Sequence, residues 1–298
     1  MAGKIFLRLL LLAQCSVLVA SSAATDFLSK FNRDILAKDY ESGQAAWEYN
    51  TNLTDHNSKV SVAKSLAYSD YMSLVRANAS KFNLTSESDD TRRQFSFILS
   101  SASSKNVTVR KRVADDGAKL EKLYSQGCIN AMAKDVPTLN GTWNGTKCLS
   151  LDPDLYKIMS KSRNYTELKL VWKGWRDATG PKMKALYERF VNGLNTGAVD
   201  NKWKDYGEYV RSWYEVGDQL GPIAEKLWLD LKPFYEELHA YVRFKLTKKY
   251  PEVKDGEPIP AHLLGNMWAQ GWVNIYNEVA PFPSKYLMSP WQSSFNSM

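Results

Sequence analysis

The histidines are the first residues to consider for catalysis, because a hydrolytic zinc site on a helix uses two of them four positions apart. The 298-residue chain has three, His56, His239 and His262, and no two of them have that spacing. None has a second histidine or a cysteine at a spacing suited to a shared metal ion. The sequence therefore contains no H-E-x-x-H motif, and it predicts no zinc site.

Other side chains have the chemistry for catalysis but lack the arrangement. Glu236 and Glu237 would make a general acid and base. Adjacent positions on a helix point about 100° apart, however, so a solvated or ion-paired face is the better interpretation. Gly-rich phosphate loops and the G-x-S-x-G motif of serine hydrolases are absent. The sequence thus indicates no catalytic residues.

The cysteines are best interpreted as one disulfide and one residue that is removed. Cys15 lies in an N-terminal leader, whereas Cys128 and Cys148 bracket a loop rich in Gly and Asn. Pairing the latter two closes a loop of about 20 residues, which stabilises the fold by roughly 3 kcal/mol. We therefore predict a disulfide between them, and with it an oxidising compartment.

The first residues are typical of a secretory signal peptide. Lys4 and Arg8 precede an apolar run over residues 9–19, and small residues at 22–24 offer a cleavage site. The run is too short for a good membrane span, and no later stretch approaches the length that a span needs. We expect residues 1–24 to be removed, which leaves a secreted, extracellular chain with no membrane span.

Seven N-x-S/T sequons agree with secretion, because this motif is the acceptor for N-glycosylation. All of them lie in the first 170 residues, a region that we expect to face solvent. The predicted glycosylation sites are Asn52, Asn78, Asn83, Asn106, Asn140, Asn144 and Asn164.

Composition is that of a globular protein with a basic surface. The formal charge is +7, and it becomes +5 once Lys4 and Arg8 leave with the leader, from 37 basic and 32 acidic residues. The basic residues are dispersed, which favours a solvated surface and predicts no nucleic-acid partner. Aromatic content is high at 12%, as expected where large side chains fill the spaces between long helices or line a cleft.

Apolar spacing of three and four residues predicts helices throughout, and no segment has the period of two that predicts a strand. Thr25 or Asp26 is suited to cap the first helix. Asp152 followed by Pro153 is typical of a helix start, and the Gly-Pro pair at 180–181 should interrupt a helix. The predicted helices with both ends defined cover residues 25–50, 91–100, 114–125, 165–177 and 218–249. Two more begin at residues 55 and 152. A further helix resumes after the Gly-Pro pair and ends near residue 194, and a short one contains Tyr209, Trp213 and Tyr214. The predicted fold class is all-α.

The stretch 256–283 is the least generic part of the chain. Pro258 and Pro260 predict an extended entry, and apolar residues at spacings of four, four and three then predict a helix over 261–276. One stripe of this helix consists of Leu264, Trp268, Trp272 and Ile275, and a second of Asn266, Gln270 and Asn274. A helix with one apolar face and one row of uncharged amides suits the wall of a cleft.

The sequence PIPAHLLGNMWAQ at 258–270 resembles a signature of the angiotensin-converting-enzyme family of zinc peptidyl-dipeptidases. The resemblance extends over about residues 26–283 and includes LSLDPDL (149–155), VWKGWRDATG (171–180), VRSWYE (210–215) and LHAYVR (238–243). It implies the multi-helix N-terminal half of a larger helical peptidase domain, whose first helices form a lid over the cleft. The zinc motif belongs to the other half of such a domain.

Four residues gain an expected role from this resemblance. Gln270 matches a glutamine that hydrogen-bonds the C-terminal carboxylate of a peptide substrate, and Asp152 matches an acidic residue that reaches the substrate's side-chain pocket. Arg176 and Tyr214 match residues that bind chloride. Each of three residues also has a purely structural alternative. Gln270 would be an exposed amide on a helix surface, Asp152 a helix cap, and Arg176 the partner of an aspartate in an ion pair. Lys173 replaces a usual glutamate beside Arg176, and this exchange argues against an intact chloride site.

The resemblance implies a truncated relative of a secreted peptidyl-dipeptidase, which releases C-terminal dipeptides from peptides with zinc and chloride as cofactors. Without the zinc motif, we expect no activity from this chain alone. The alternative is a secreted, non-catalytic module that binds peptides or a partner. We expect a leader at 1–24, a helical half domain at 25–283 and a divergent tail at 284–298. We also expect an exposed apolar face on the helices at 218–249 and 261–276, which a partner would cover.

Overall fold

The computed structural model of the chain describes residues 22–282, which form nine α-helices and one two-stranded sheet. Most of the predicted leader and the whole tail at 284–298 lie outside the described residues. The all-α prediction is confirmed. The elements are α1 (Ala23–Thr51), α2 (Asp55–Ala79), α3 (Asp89–Leu99), α4 (Val107–Ser125), β1 (Cys128–Met132), β2 (Thr146–Ser150), α5 (Tyr156–Lys161), α6 (Tyr165–Asp200), α7 (Tyr206–Ser212), α8 (Leu220–Thr247) and α9 (Tyr276–Val279).

The chain divides into two compact units, and the first ends at Ser101 and contains α1, α2 and α3. Each of its helices begins after a residue whose hydroxyl accepts a hydrogen bond from a backbone N–H, namely Ser22, Thr54 and Ser88. The prediction that Thr25 or Asp26 caps α1 is wrong, because Ser22 Oγ accepts from the Thr25 N–H at 3.1 Å.

The core of the first unit contains side chains from all three helices. The phenyl rings of Phe27, Phe82 and Phe95 contact one another, with centroids 5.1 to 5.5 Å apart, and Phe95 is fully buried. Aromatic contacts of this kind add to the stability gained from burial alone. The buried apolar residues are Ala24, Leu28, Val75, Ala79, Phe95 and Ile98.

A disulfide-linked hairpin lies in the second unit, which begins at Ala102. β1 and β2 pair antiparallel, and the predicted bond joins Cys128 to Cys148, whose Cα atoms are 5.5 Å apart. The expectation of no strands is therefore wrong at this one place. Alternate residues of β1 are buried, as the pleat requires, but a run of five residues is too short to reveal the period in the sequence.

α6 continues without a break past Gly180 and Pro181, so the predicted interruption is wrong. Proline removes one backbone hydrogen bond, but both residues are exposed, and water can satisfy the freed carbonyl. Further along, Gly197 lies against the backbone of residues 102–104. A Cβ there would come within 2.2 Å of the Ala102 carbonyl oxygen, so only glycine allows this packing.

The turn before α5 also differs from expectation. Asp152 has an extended backbone, with φ −115° and ψ 127°, and it does not cap the helix. The neighbouring carboxylate of Asp154 accepts a hydrogen bond from the Ser150 N–H at 3.3 Å instead. Residues Leu151–Leu155 form one wide turn, and α5 begins at Tyr156.

α8 buries only the end of its apolar stripe. Val242 and Leu246 are 2% and 1% exposed and join the core of the second unit. Earlier positions on the helix are exposed, in agreement with the expectation of an uncovered apolar face. These positions, here called the open stripe, are Ile223, Leu227, Leu231, Phe234 and Leu238. Across residues 22–282, no helix has the length and hydropathy needed to cross a membrane.

The predicted helix over 261–276 is wrong. Only Ala261–Leu263 and Val273–Ile275 form single 3-10 turns, and the segment between them is a loop that leads to the short α9. Gly265 and Ala269 have positive φ, at 84° and 56°, which is incompatible with a right-handed helix. Apolar spacing alone did not reveal this interruption.

Candidate functional site

The loop at 264–272, here called the amide loop, contains the residue expected to bind a substrate carboxylate. Two asparagine side chains hold it in shape. Asn266 donates from Nδ2 to the Gly271 carbonyl at 2.7 Å, and its Oδ1 accepts from the Trp268 N–H at 2.8 Å. Asn274 Nδ2 donates to the Gly265 carbonyl at 2.9 Å. Two of the three amides predicted to line a cleft are therefore used within the loop itself.

The third amide, Gln270, lies on the exposed side of this loop. Within the described part of the chain, its side chain has no hydrogen-bond partner. The loop beneath it is fixed not only by Asn266 but also by Trp272, whose Nε1–H donates to the Ala269 carbonyl at 2.9 Å. The arrangement leaves one free amide on a well-supported backbone.

Arg176 anchors the amide loop to α6. Its Nη2 donates to the Met267 carbonyl at 2.6 Å, and its Nη1 donates to the Trp172 carbonyl at 3.1 Å. The guanidinium carbon lies 3.7 Å above the centre of the Trp172 ring, which is a close cation–π contact. Burial lowers the pKa of the Arg176 guanidinium, but an arginine remains charged in proteins.

No carboxylate neutralises Arg176 within residues 22–282. The adjacent Asp177 pairs with Lys173 one turn earlier on the helix surface. The Arg–Asp ion pair that was the structural alternative is thus not formed. The Nε–H and one Nη2–H of Arg176 have no partner among the described residues, and they are the groups available to an anion.

Trp268 connects the amide loop with the segment that contains Asp152. Its ring contacts Tyr156 edge-on at 5.5 Å and Trp175 at 6.4 Å. Burial raises the pKa of the Tyr156 hydroxyl, and smaller contributions come from Tyr124 and from the nearby carboxylate of Asp152. Asp152 itself is exposed. The structure therefore gathers the segments that contain Asp152, Arg176 and Gln270 around one aromatic cluster.

Tyr214 does not join this group in the described structure. It follows α7 and is 64% exposed, and its backbone N–H donates to the Arg211 carbonyl at 3.2 Å. None of its contacts within residues 22–282 is with Arg176. Of the two residues expected to bind chloride, only Arg176 thus lies beside the amide loop.

Among residues 22–282, the histidines do not form a metal centre. His262 is buried, its ring contacts Tyr165 at 4.7 Å, and its Nε2 has no partner in the part of the chain that the structure describes. Burial, assisted by the charge of Lys169, lowers the pKa of His262 to about 4. His239 lies instead on α8 beside Tyr235 and Trp272.

The described residues contain no group of three His, Cys, Asp or Glu side chains that would hold a metal ion. A hydrolytic zinc site needs three protein ligands and one open position. His262, which is held neutral among aromatic neighbours, has no such companions. The residues described in this structure do not fit zinc.

All seven sequon asparagines are exposed. Some also have a local structural role: Asn106 accepts from the Thr108 N–H at 2.9 Å at the start of α4, and Asn164 accepts from the Glu167 N–H at 3.0 Å at the start of α6. Exposure is the condition that a glycan requires, so the geometry permits modification at each of them.

Sequence reasoning missed Met267 and Tyr156, which hold the site together. Met267 is fully buried, and it meets Arg176 with both its carbonyl oxygen and its sulfur. The sequence cannot identify which backbone carbonyl accepts a hydrogen bond from Arg176, because every residue has a carbonyl group. The edge contact of Tyr156 with Trp268 joins two segments that are more than 100 positions apart, and no periodicity reports such a contact.

Comparison with known proteins decides the family. A family model described as angiotensin-converting enzyme matches residues 19–293 of the chain. The chain belongs to the angiotensin-converting enzyme family. This result confirms the resemblance seen in the motifs, and it places the amide loop within a family of metallopeptidases.

Curated relatives agree with this assignment. An angiotensin-converting enzyme of Theromyzon tessulatum is 41% identical over 280 residues, which cover 91% of this chain and 44% of that protein. Those of Rattus norvegicus and Mus musculus are 37% and 35% identical, and the aligned regions cover 88% of this chain and 19% of each relative. The chain spans less than half the length of the curated relatives it matches.

Proposed function

We propose that this chain forms the substrate-binding part of a secreted peptidyl-dipeptidase of the angiotensin-converting enzyme family. The observation that carries the proposal is the exposed amide of Gln270 on a loop whose shape Asn266 and Asn274 fix. An unpaired amide on a backbone that is already fixed is suited to bind the C-terminal carboxylate of a peptide, since only the side chain has to be ordered when the contact forms. The curated relatives are named angiotensin-converting enzymes, which supports a peptide as the ligand.

Asp152 and Arg176 complete the proposed site. Asp152 is an exposed carboxylate near the aromatic cluster, where it can meet a basic side chain of a bound peptide. Arg176 is charged, partly buried and without a carboxylate partner in the described residues, so it suits a chloride ion or another small anion. Tyr214 lies after α7 and is 64% exposed. We propose it as a further residue of the anion site.

We propose that residues 1–298 alone do not hydrolyse peptides. Gln270 and Arg176 can orient a peptide, but neither supplies a nucleophile or a general base. Zinc would provide an activated water molecule, and the described residues lack the ligands for it. The leader, the disulfide and the exposed sequons support secretion into an oxidising, extracellular compartment.

A non-catalytic binding module is the second candidate, and the open stripe of α8 favours it. Leu227, Leu231 and Phe234 are 63%, 55% and 66% exposed, and they lie on one helix. An apolar surface of this kind marks an interaction site when it is larger than monomers usually tolerate. A protein partner, or a further segment of a longer chain, would bury it.

Peptide binding provides the test of the proposed site. We expect the purified chain to bind a fluorescent peptide with a free C-terminus, and to bind the same peptide with an amidated C-terminus about tenfold more weakly, since a charged hydrogen bond is lost. Gln270→Leu should weaken binding of the peptide with a free C-terminus and leave binding of the amidated peptide unchanged. Gln126→Leu is the matched control, because Gln126 is also an exposed amide but lies at the end of α4.

The same preparation tests the proposed lack of activity. We expect no dipeptide release from the peptide in the presence of added zinc, and no stoichiometric zinc after dialysis. Turnover that a chelator abolishes would overturn this part of the proposal. Equal affinity for the free and amidated peptides would overturn the role of Gln270.

A further inference from the structure

A groove with aromatic walls lies between α1 and α2 in the first unit, and none of the proposed roles uses it. Its volume is about 510 Å³, which is in the range of small-molecule binding sites. Phe27 and Phe31 on α1 face Tyr71 and Leu74 on α2, and Phe82 lies beyond the end of α2. Leu74 is 68% exposed, so the apolar lining remains in contact with water.

Asn78 is a polar member of the same wall, and it belongs to a sequon with Ala79 and Ser80. It follows Leu74 by four positions and Tyr71 by seven, so the three residues lie on one face of α2. Lys81 donates from Nζ to Asn78 Oδ1 at 3.1 Å. The Nδ2 atom, to which a glycan is attached, has no partner among the described residues.

We propose that the first sugars of an N-linked glycan on Asn78 occupy this groove and cover its aromatic lining. This inference rests on the proposed secretion of the chain. The glycan comes from a lipid-linked oligosaccharide diphosphate. The bond between Asn78 Nδ2 and the sugar C1 forms, the bond between C1 and the diphosphate oxygen breaks, and Nδ2 loses a proton as the diphosphate leaves.

The chemistry of the groove matches that of a pyranose ring. The C–H face of such a ring is apolar and packs on the electron-rich faces of Phe31, Tyr71 and Phe82. Its hydroxyl groups can meet the charged rim, where Lys30 pairs with Asp34. Tethering at Asn78 places the first sugar beside these rings, so the ordering cost of binding is small.

The other six sequon asparagines supply internal controls, because none of them lines this groove. Asn52 is the best matched among them. It lies at the end of α1 in the same unit, is exposed, and does not line the groove. A glycan on Asn52 should extend into solvent.

Site-specific deglycosylation tests the inference. The chain is expressed in secreting eukaryotic cells, the native protein is treated with peptide N-glycosidase, and each sequon is followed by mass spectrometry. We expect release from Asn78 to be about tenfold slower than from Asn52, because packed sugars are protected until the groove opens. In denatured protein the two rates should be equal.

Two substitutions make the test specific to the groove. Leu74→Glu changes an exposed side chain of the wall, so the fold should persist while the protection of Asn78 is lost and the rate at Asn52 stays unchanged. Ser80→Ala removes the sequon but keeps Asn78. It should increase hydrogen exchange of residues 27–34, whereas Ser80→Thr, which keeps the sequon, should not.

Several results would overturn the inference. One such result is a glycan on Asn52 together with an unmodified Asn78. Another is an equal rate of glycan release from the two sites in native protein. Either result would leave the proposed secretion intact. Unchanged hydrogen exchange of residues 27–34 in Ser80→Ala would also overturn the inference and leave the proposed secretion intact. A chain without sugar at any of its seven sequons would overturn both this inference and the proposed secretion.

Discussion

The two ends of α8 have the same apolar spacing but opposite surroundings. Val242 and Leu246 are almost fully buried against the core of the second unit, whereas Leu227 and Phe234 are more than 60% exposed. An apolar stripe identifies the face of a helix that must be covered, but it does not say what covers it. At one end of α8 the covering residues lie within residues 22–282, and at the other end they do not.

The largest expected effect separates these two ends directly. Leu246→Ala should reduce the free energy of unfolding by about 2 to 5 kcal/mol, because it leaves a cavity in a packed core. Leu227→Ala, the same change in the open stripe, should alter it by less than about 0.5 kcal/mol. Urea denaturation measures both. Equal losses would show that a partner, such as a second copy of the chain, covers the open stripe in solution.

A second test uses the buried histidine in the packed region. The unfolded chain protonates His262 near pH 6.5, whereas the folded chain holds its pKa near 4. Stability should therefore be unaffected above pH 6.5 and fall by about 1.4 kcal/mol per pH unit between pH 6.5 and 4, by about 3 kcal/mol in all. His262→Phe should flatten this slope, and the exposed-site control His56→Gln should keep it. A slope that survives His262→Phe would assign the effect to other groups.

Substitutions in the open stripe should have the smallest effect on stability. They should have the clearest effect on association of the chain with a dye or with itself. Leu227→Lys combined with Phe234→Lys should leave the urea midpoint almost unchanged, because both side chains are already in water. The double variant should lose binding of a hydrophobic dye and any self-association seen by sedimentation. Dye binding equal to that of the unaltered chain would contradict the assignment of this face as the exposed apolar surface.

The sequence allowed much of the fold to be predicted, because local signals and tertiary structure agree over most helices. Apolar spacing predicted α1, α3 and α8 and the start of α2 to within a few residues, and the cysteine spacing predicted the disulfide. The prediction that α6 is interrupted at Pro181 was wrong, because an exposed helix face tolerates one missing hydrogen bond. Here a residue preference was outweighed by solvent, whereas the hairpin was missed because its strands are too short to show their period.

The candidate site was harder to predict than the fold. The spacing of Leu264 and Trp268 favoured a helix, but Gly265 and Ala269 take up positive φ, and Asn266 and Asn274 satisfy the backbone that a helix would have bonded. Those hydrogen bonds join positions up to nine residues apart, and a further one joins the Met267 carbonyl to Arg176 on α6. A periodic pattern contains none of this information.

The aromatic cluster around Trp268 gives the site an optical reporter of its own. The ring centroids of Trp268 and Trp175 lie 6.4 Å apart at an interplanar angle of 87°, and we expect electronic coupling between two indoles held this close to contribute to the circular dichroism of the chain. Since Trp268 lies two positions before Gln270, a change in the amide loop alters the coupling without any added label. The difference spectrum between the unaltered chain and Trp268→Phe isolates that signal from the other tryptophans, so a rearrangement of the loop would be visible as a spectral change.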